Sequence, residues 1–581
     1  MTFFLKIIII LFISNILSMV LMNVFVVKTD FLVCVYMLSI AISTFLTNKI
    51  NIKNLKNSTI VFSKKEKIFI SVFFILLFLA YIMPRLVYVL EPKLGYIADA
   101  LGDDIGHIPE LNSLINSERY PPVSSFFHEK YLSYYYAPWM FMAFIYYILP
   151  FSFVTAKMAY FIGYSVYILL ILYLAFYFCL YLSKNKKQFY ILIYLTILYS
   201  GIDSILIFLT PFRHNEWWMR DFFGLNFQIS SFSTCILWSA HALIAAFSLI
   251  IPYFLYINFL KLNNFNFKNR IIVYIVISLL LVNALYSNTF VVLGALPFII
   301  YFIFKNLKNY RDFIWIFAAS LIFSSGMFWI FLGREIGEMV YLYNIKNFGF
   351  NNYQINFTLS LLLFACLVFL ELVIYFWVLA KEFKKIKENK NDFILVLLSI
   401  GFIFFAFLVG YKHTSNNLAL RGLIIPLFVL AYITSKCFIS IKFSNKGVIN
   451  LFFILSFLSL GSINEIFYFN NLSKIALNFP KKSESKKIIY ALNTNRNIKS
   501  TKIKNMLLDR GLKLSVETNQ YNIADYDYHL FFLTEKIVSD YSLKKQDNED
   551  YYKAAKELTN NGPFFIWSYQ DWKNNAKSDK S

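Results

Sequence analysis

The sequence predicts an all-α, polytopic membrane protein with a small C-terminal α/β domain that lies outside the membrane. Of its 581 residues, 59% are hydrophobic and only 15% are charged, whereas about a quarter of the residues in soluble domains are charged. The hydrophobic residues are also grouped into runs of about 20, the length at which a helix crosses a hydrocarbon core of roughly 30 Å. Membrane β-barrels would show weaker, alternating signals of about ten residues.

About thirteen such runs are predicted to be transmembrane helices, accompanied by juxtamembrane helices. The predicted spans are 4–26, 30–48, 68–90, 158–182, 189–209, 228–258, 271–288, 290–304, 313–332, 357–380, 393–410, 419–440 and 448–466. Residues 1–466 therefore form a transmembrane domain. The polar, Lys- and Asn-rich segment 467–581 is long enough to fold as a separate domain.

The net charge of +22 does not indicate a nucleic-acid partner, because Lys and Arg collect in short connections between apolar runs. Such loops face the cytoplasm in membrane proteins. The basic connections are 49–67, 184–187, 261–270, 305–311, 381–390 and 442–446. This distribution predicts a protein of the cell (inner) membrane, surrounded by membrane lipids, with a cytoplasmic N-terminus and an extracytoplasmic C-terminal domain.

One apolar segment, 131–150, conflicts with this topology, because counting it as a span would move the next basic loop to the outside. Its sequence, YLSYYYAPWMFMAFIYYILP, is rich in Tyr and Trp, which concentrate at membrane interfaces. We therefore interpret it as a juxtamembrane or half-inserted helix of the first extracytoplasmic loop, 91–157. The alternative is a true span with one loop that breaks the charge rule.

The first extracytoplasmic loop holds an acidic group in a protein that otherwise has few acids. If the segment is helical, Asp103, His107 and Glu110 share one face, because residues three and four apart are neighbours, and Asp104 flanks that face. Carboxylates beside an imidazole can act as a general base or hold a divalent cation. The alternative is that Asp103 and Asp104 cap a helix.

A second group, in the next outward loop, combines two arginines with an acid and paired tryptophans. Arg213, Glu216 and Arg220 suit a phosphate and sugar site, since guanidinium groups bind phosphate bidentately. An interfacial anchor is the competing interpretation, because Trp concentrates at membrane interfaces.

Three further residues lie near the predicted outer ends of spans. Trp238 and His241 occur in the sequence WSAH, and a membrane-embedded His is often functional, although a backbone carbonyl can also satisfy it. Arg421, in NNLALRGLIIP, should lie at the membrane rim or have an anionic partner, because a charge at mid-membrane costs about 2.5–3.5 kcal/mol. Snorkelling of Arg421 to the lipid headgroups is the alternative.

These stretches resemble segments of the GT-C superfamily, the membrane glycosyltransferases that use polyprenyl-phosphate-linked sugars. The matching pieces are Asp103-Asp104 with His107, a Tyr-Pro-Pro loop at 120–122, three tyrosines at 134–136, WSAH and NNLALRGLIIP. The resemblance covers roughly 68–440. This chain departs from the superfamily in having two additional helices at its N-terminus and in reading DDIGH at the acidic pair.

The resemblance implies sugar transfer from a polyprenyl-phosphate donor to a glycan, lipid or protein acceptor on the extracytoplasmic side. Asp103 or Asp104 would be the base, and His107 would assist or join them in binding Mg²⁺ or Mn²⁺. Arg421, with Arg213 or Arg220, would hold the phosphate. The alternatives are a lipid-linked oligosaccharide flippase or other transporter, and a polysaccharide polymerase.

Overall fold

The architecture comes from a computed structural model, and the chain that it describes is largely helical. The described residues are 2–50, 60–90, 107, 110–111, 113–122, 132, 136–149, 156–201, 229–261, 267–325, 341–342, 349–350, 353–354, 357–410, 417–441, 445–467, 490–492 and 530–532.

The helices are numbered in chain order over these residues. Their bounds are α1 (Thr2–Val24), α2 (Leu32–Lys49), α3 (Lys64–Leu90), α4 (Ala137–Ile148), α5 (Ala156–Leu182), α6 (Lys186–Ile193), α7 (Phe232–Trp238), α8 (Ala240–Leu255), α9 (Phe267–Ser287), α10 (Thr289–Lys305), α11 (Tyr310–Ser325), α12 (Phe357–Glu371), α13 (Val373–Lys381), α14 (Phe383–Glu388), α15 (Lys390–Leu408), α16 (Asn417–Gly422), α17 (Ile424–Phe438) and α18 (Asn445–Leu458). Short 3₁₀ segments precede α2 and α11, at Thr29–Phe31 and Leu307–Asn309, and π-helical turns continue α6 and α8, at Tyr194–Leu198 and Tyr256–Lys261.

Polar side chains mark where several of these helices begin. Asn185 accepts a hydrogen bond from the backbone of Gln188 at the start of α6, and Ser231 accepts one from Thr234 at the start of α7. Asn288 caps α10 in the same way. Each cap satisfies a backbone donor that a helix start leaves without an intrahelical partner.

Short strands form three antiparallel pairs within the described residues. They are β1 (Tyr341–Leu342) with β4 (Val409–Gly410), β2 (Gly349–Phe350) with β3 (Tyr353–Gln354), and β5 (Tyr490–Leu492) with β6 (Leu530–Phe532). The last pair belongs to the segment predicted to be a C-terminal α/β domain. The other residues of that segment beyond Phe467 lie outside the described part.

Within the described ranges, eight helices are long and apolar enough to cross a membrane, and two bent pairs raise this number to as many as ten. The predicted helical, multi-pass membrane architecture is therefore confirmed. The predicted number of about thirteen spans includes segments, such as 189–209 and 313–332, that lie partly outside the described residues.

Two predicted continuous spans are wrong in one respect, because each is broken. The run 228–258 divides at Ser239, whose backbone (φ −146°, ψ 57°) is not helical, into α7 and α8. The run 357–380 divides at Leu372, and α12 and α13 meet there at 85°. Another sharp bend, of 84°, separates α10 from the helical segment that includes α11.

The segment 131–150 contains α4, a 12-residue helix. At 1.5 Å per residue α4 is about 18 Å long, which is short for a roughly 30 Å hydrocarbon core. Its first nine residues are almost all buried, and it packs against α1 and α5. The length agrees with the interpretation as a helix that does not cross the membrane, although most of its surface faces protein rather than lipid.

The two N-terminal helices are joined to the rest of the bundle by buried hydrogen bonds. The Asn15 side chain accepts a hydrogen bond from the Tyr36 hydroxyl at 2.7 Å and donates one to the Tyr167 hydroxyl at 2.8 Å. Tyr167 in turn donates to the carbonyl of Pro138 at 2.8 Å. This chain of bonds connects α1, α2, α5 and α4 and leaves each hydroxyl in it satisfied.

The turn between α1 and α2 also holds the segment that follows His107 and Glu110. The backbone of Tyr120 donates to Val27 at 2.9 Å, and that of Thr29 donates to Glu118 at 3.0 Å. The Thr29 hydroxyl bonds to the carbonyl of Ser117. The turn between the N-terminal helices thus holds residues 117–120, within the predicted first extracytoplasmic loop.

Candidate functional site

His107 and Glu110 form the local unit of the candidate site. Both residues are helical, and Nδ1 of His107 lies 2.8 Å from Oε2 of Glu110. Because a carboxylate only accepts hydrogen bonds, Nδ1 carries the proton. Nε2 is then the ring nitrogen that can exchange a proton with another group. The structure thus confirms the predicted placement of these two side chains on one helical face.

Helix α4 supplies the second partner of Glu110. The indole Nε1 of Trp139 donates to the same carboxylate oxygen at 2.8 Å, and the ring of Trp139 lies 4.6 Å from that of His107, measured between centroids. Pro138 is the second residue of the helix, where its backbone N–H would have no intrahelical partner in any case, and Tyr136 is the residue before the helix. Burial raises the pKa of the Tyr136 hydroxyl, which stays protonated and donates to Asn23 at 2.9 Å.

The break at Ser239 brings His241 to this unit. His241 is in the first turn of α8, and its ring centroid lies 5.1 Å from that of His107 and 5.9 Å from that of Trp139. All of these side chains are almost completely buried. We call His107, Glu110, Trp139 and His241 the histidine cluster.

Arg421 acts electrostatically on His241 of the histidine cluster. It is the penultimate residue of the short helix α16, which approaches α10 closely: a Cβ added to Gly294 would lie 1.8 Å from the carbonyl oxygen of Gly422. The Arg421 side chain is buried, with 8% of its residue surface exposed. The guanidinium therefore does not snorkel along a lipid-facing surface.

A second buried arginine, Arg85, was not among the predicted site residues. Its guanidinium lies 3.8 Å above the ring of Tyr164, and it donates to the carbonyl of Leu237, just before the break in WSAH. The Tyr164 hydroxyl donates to the neighbouring carbonyl of Ile236 at 2.6 Å. The sequence carried a signal for this residue, because Arg85 is a charge inside the apolar run 68–90, and such charges are rare and usually functional.

The structure brings together three of the predicted site residues, His107, His241 and Arg421. Trp238, the last residue of α7, is half-buried immediately before the break. The remaining predicted residues, Asp103, Asp104, Arg213, Glu216 and Arg220, lie outside the described residues. The predicted cation site of Asp103, Asp104 and His107 therefore has one described member.

His107, the described residue of this predicted cation site, has one feature that is typical of metal ligands. Metal-binding histidines usually donate their second ring N–H to a carboxylate, which orients the ring, and the bond from His107 to Glu110 has this form. Among the residues that the structure describes, no group of three or more His, Cys, Asp or Glu side chains is arranged to hold a metal ion. Oxygen ligands from Asp103 or Asp104 would be needed, since Mg²⁺ prefers carboxylates and water.

Chemically, the arrangement presents an oriented imidazole, a second imidazole next to it, and a buried guanidinium that acts electrostatically on the second imidazole. The first can transfer a proton through Nε2, and the guanidinium can hold an anionic oxygen. Comparison with known protein families, with characterised proteins and with solved structures finds no match to this chain.

Proposed function

We propose that this protein is a membrane glycosyltransferase of the GT-C type. It would move a sugar from a polyprenyl-phosphate donor to a glycan, lipid or protein acceptor on the extracytoplasmic side of the cell membrane. The observation that carries the proposal is the ring contact of His107 with His241, together with the electrostatic influence of the buried Arg421 on His241. These residues come from three distant stretches, each of which resembles the superfamily separately.

The proposed division of labour follows from the chemistry of transfer. Asp103 or Asp104 removes the proton of the acceptor hydroxyl, and His107, which is held by Glu110, assists this base or binds a divalent cation with it. Arg421 stabilises the departing phosphate, together with Arg213 or Arg220 from the next loop. A bound Mg²⁺ or Mn²⁺ would neutralise charge on that phosphate.

The membrane setting suits such a donor. Each buried methylene of a polyprenyl chain contributes about 0.8 kcal/mol, so the donor stays in the bilayer and reacts where its phosphate meets protein. The ring of Trp139 packs against His107 and His241 and helps to exclude water from them. Exclusion of water strengthens the attraction between the Arg421 guanidinium and the donor phosphate.

The acidic pair gives the direct test. Purified Asp103→Asn and Asp104→Asn proteins should insert and purify normally, and at least one should lose transfer from a polyprenyl-phosphate sugar by about a hundredfold or more, the contribution typical of a general base. The matched control is Asp99→Asn in the same loop, which should retain transfer. Full activity in both Asp103→Asn and Asp104→Asn would exclude the assignment.

The broken helices favour a second candidate, a transporter of lipid-linked sugars. Discontinuous helices near the middle of the membrane are typical of secondary transporters, and here α7 and α8 are separated at Ser239 while α12 and α13 meet at 85°. Purified protein in vesicles, with radiolabelled donor on one side, separates the two functions. Transfer without translocation supports the glycosyltransferase, and translocation without transfer supports the transporter.

A further inference from the structure

Two basic turns meet at one end of the helix bundle. The first, 305–311, connects α10 to α11, and the second, 381–390, contains α14 and connects α13 to α15. The Tyr301 hydroxyl, one helical turn before the end of α10, donates to Oδ1 of Asn391 at 2.8 Å. The ammonium group of Lys305 lies 6.0 Å from the centroid of the Tyr301 ring. The two turns are therefore neighbours, and we call them together the basic surface.

Positive charge dominates the basic surface. The first turn contributes three exposed cations and the second contributes five: Lys305, Lys308 and Arg311, then Lys381, Lys384, Lys385, Lys387 and Lys390. The two turns contain two acids, Glu382 and Glu388, and the Glu382 carboxylate accepts a hydrogen bond from the Ser440 hydroxyl at 2.9 Å. Cations that are close together repel one another, so this surface favours a partner that brings several negative charges.

Large apolar side chains are exposed among these cations. Phe304, Leu307 and Tyr310 on the first turn, and Phe383 on the second, each have more than half of their surface exposed. Ile386, by contrast, is buried and holds α14 against the bundle. Exposed apolar side chains that alternate with lysines are typical of protein surfaces in the headgroup region of a bilayer, where one kind of group meets acyl chains and the other meets phosphates.

The neighbouring helices put the basic surface at the level of the lipid headgroups. Helix α15, which is apolar and long enough to cross a membrane, begins at Lys390, and α10, part of one of the bent apolar pairs, ends at Lys305. The ends of such helices lie at the membrane interface. Trp377, on α13, has the ammonium group of Lys381 5.2 Å from its ring centroid, and Trp concentrates at the same interface.

We propose that the basic surface binds anionic phospholipids of the surrounding bilayer. The cations contact headgroup phosphates, and the exposed apolar side chains lie against the upper part of the acyl chains. A lysine near an anionic membrane surface strengthens binding about fivefold, so several lysines that act on the same lipids select anionic over zwitterionic headgroups. An acidic soluble protein would match the charge but not the apolar side chains beside membrane helices. This inference does not depend on the proposed sugar transfer.

Two photoreactive lipids test the headgroup preference: phosphatidylglycerol and phosphatidylcholine with the same acyl chains and the same diazirine. The full-length protein is placed in phosphatidylcholine nanodiscs that contain a small fraction of one probe, and labelled peptides are mapped by mass spectrometry. We expect phosphatidylglycerol to label 304–311 and 381–390 at least about fivefold more than phosphatidylcholine does, with a preference that falls as salt is added. Equal labelling by the two probes would overturn the proposal and leave an acidic protein as the partner.

A triple variant tests whether the two turns share their lipids. Replacing Lys384, Lys385 and Lys387 by Gln should lower phosphatidylglycerol labelling of the other turn, 304–311, about fivefold or more. Replacing the same three lysines by Arg keeps the charge and should retain the labelling.

The matched control is the replacement by Gln of Lys64, Lys65 and Lys67, which are exposed and have the same spacing at the start of α3. It removes the same charge from a helix that packs against α5, and labelling of 304–311 should not change. An equal loss in both Gln variants would overturn the proposal in favour of an effect of net charge. Unchanged labelling in both would overturn it as well, because the α14 lysines would then have no part in lipid binding at the first turn.

Discussion

The charged residues of this protein lie in two regions that hold them differently. In the first region, ion pairs join neighbouring helices next to the basic connections: Lys186 with Glu66, Arg270 with Asp312, and Lys436 with Asp392. Each cation there is about a third exposed. In the second region, around the histidine cluster, the same kinds of groups are buried, and they contact imidazole, indole and phenol rings and backbone carbonyls.

The charged groups of the two regions have different physical roles. A partly exposed cation beside a carboxylate fastens two helix ends and contributes little free energy, because water and salt screen it. Burial of a carboxylate costs free energy, and hydrogen bonds from two donors offset part of that cost. The same bonds hold both donor side chains in fixed orientations. The first region therefore joins helices, and in the second Glu110 fixes the orientation of the His107 and Trp139 rings. Three substitutions test this difference between the regions, in order of decreasing expected effect.

The largest effect is expected from Glu110→Ala. It removes the acceptor of both His107 and Trp139 in a fully buried position, and leaving two donors without a partner should lower the free energy of unfolding by about 3 kcal/mol. Unfolding of the purified protein in detergent by a denaturing surfactant measures this. The exposed Glu388→Ala is the control, with a change below about 0.5 kcal/mol. Equal stability of the two variants would contradict the distinction between the regions.

An intermediate effect is expected from Gly294→Ala, which tests how closely α10 must approach α16. The new methyl group would meet the Gly422 carbonyl at 1.8 Å, so the helices must separate, at a cost of about 1–3 kcal/mol. Gly401→Ala on α15 is the matched control: an added Cβ there meets nothing within 4 Å, and it should stabilise the protein by about 0.5–1 kcal/mol. If both substitutions stabilise the protein, the close approach beside Arg421 is not required.

The smallest effect is expected from Lys436→Gln in the first region. The Lys436 side chain is 29% exposed, so loss of its pair with Asp392 should cost only about 0.2–1 kcal/mol. Thermal unfolding in detergent should show a difference from wild type that shrinks as salt is added. Lys384→Gln, an exposed lysine on α14, should show no difference. A loss of unfolding free energy as large as that of Glu110→Ala would contradict the assignment of this ion pair to the weakly stabilising region.

The parts of the fold that depend on local hydropathy could be predicted from the sequence. The spans around α1, α2, α5 and α9 were placed within a few residues, because about 20 consecutive apolar residues are sufficient to specify a membrane helix. The breaks at Ser239 and Leu372 were missed. Neither contains Pro or Gly, and at Leu372 the geometry is held by Tyr199, which is distant in sequence.

The candidate site shows the same division between local and distant causes. The pairing of His107 with Glu110 follows from helical spacing and was predicted. Trp139 was assigned to a membrane interface, because a Trp in an aromatic segment gives no sign that its indole will meet a buried acid. The contact of His107 with His241 joins stretches more than a hundred residues apart, and Arg421, which acts electrostatically on His241, is more distant still in the sequence. No local pattern in the sequence encodes this proximity.

The bonds between the α1–α2 turn and 117–120 have a consequence for biosynthesis. Thr29 and its partner Ser117 are 88 residues apart in the chain, so at about 5–20 residues per second the ribosome needs several seconds to supply the partner. Within α1 and α2 themselves, the bonds of Ser14 to Ser43 and of Tyr36 to Asn15 can form as soon as both helices have been made. The first hairpin therefore has hydrogen bonds of its own before the loop that it later holds has been synthesised.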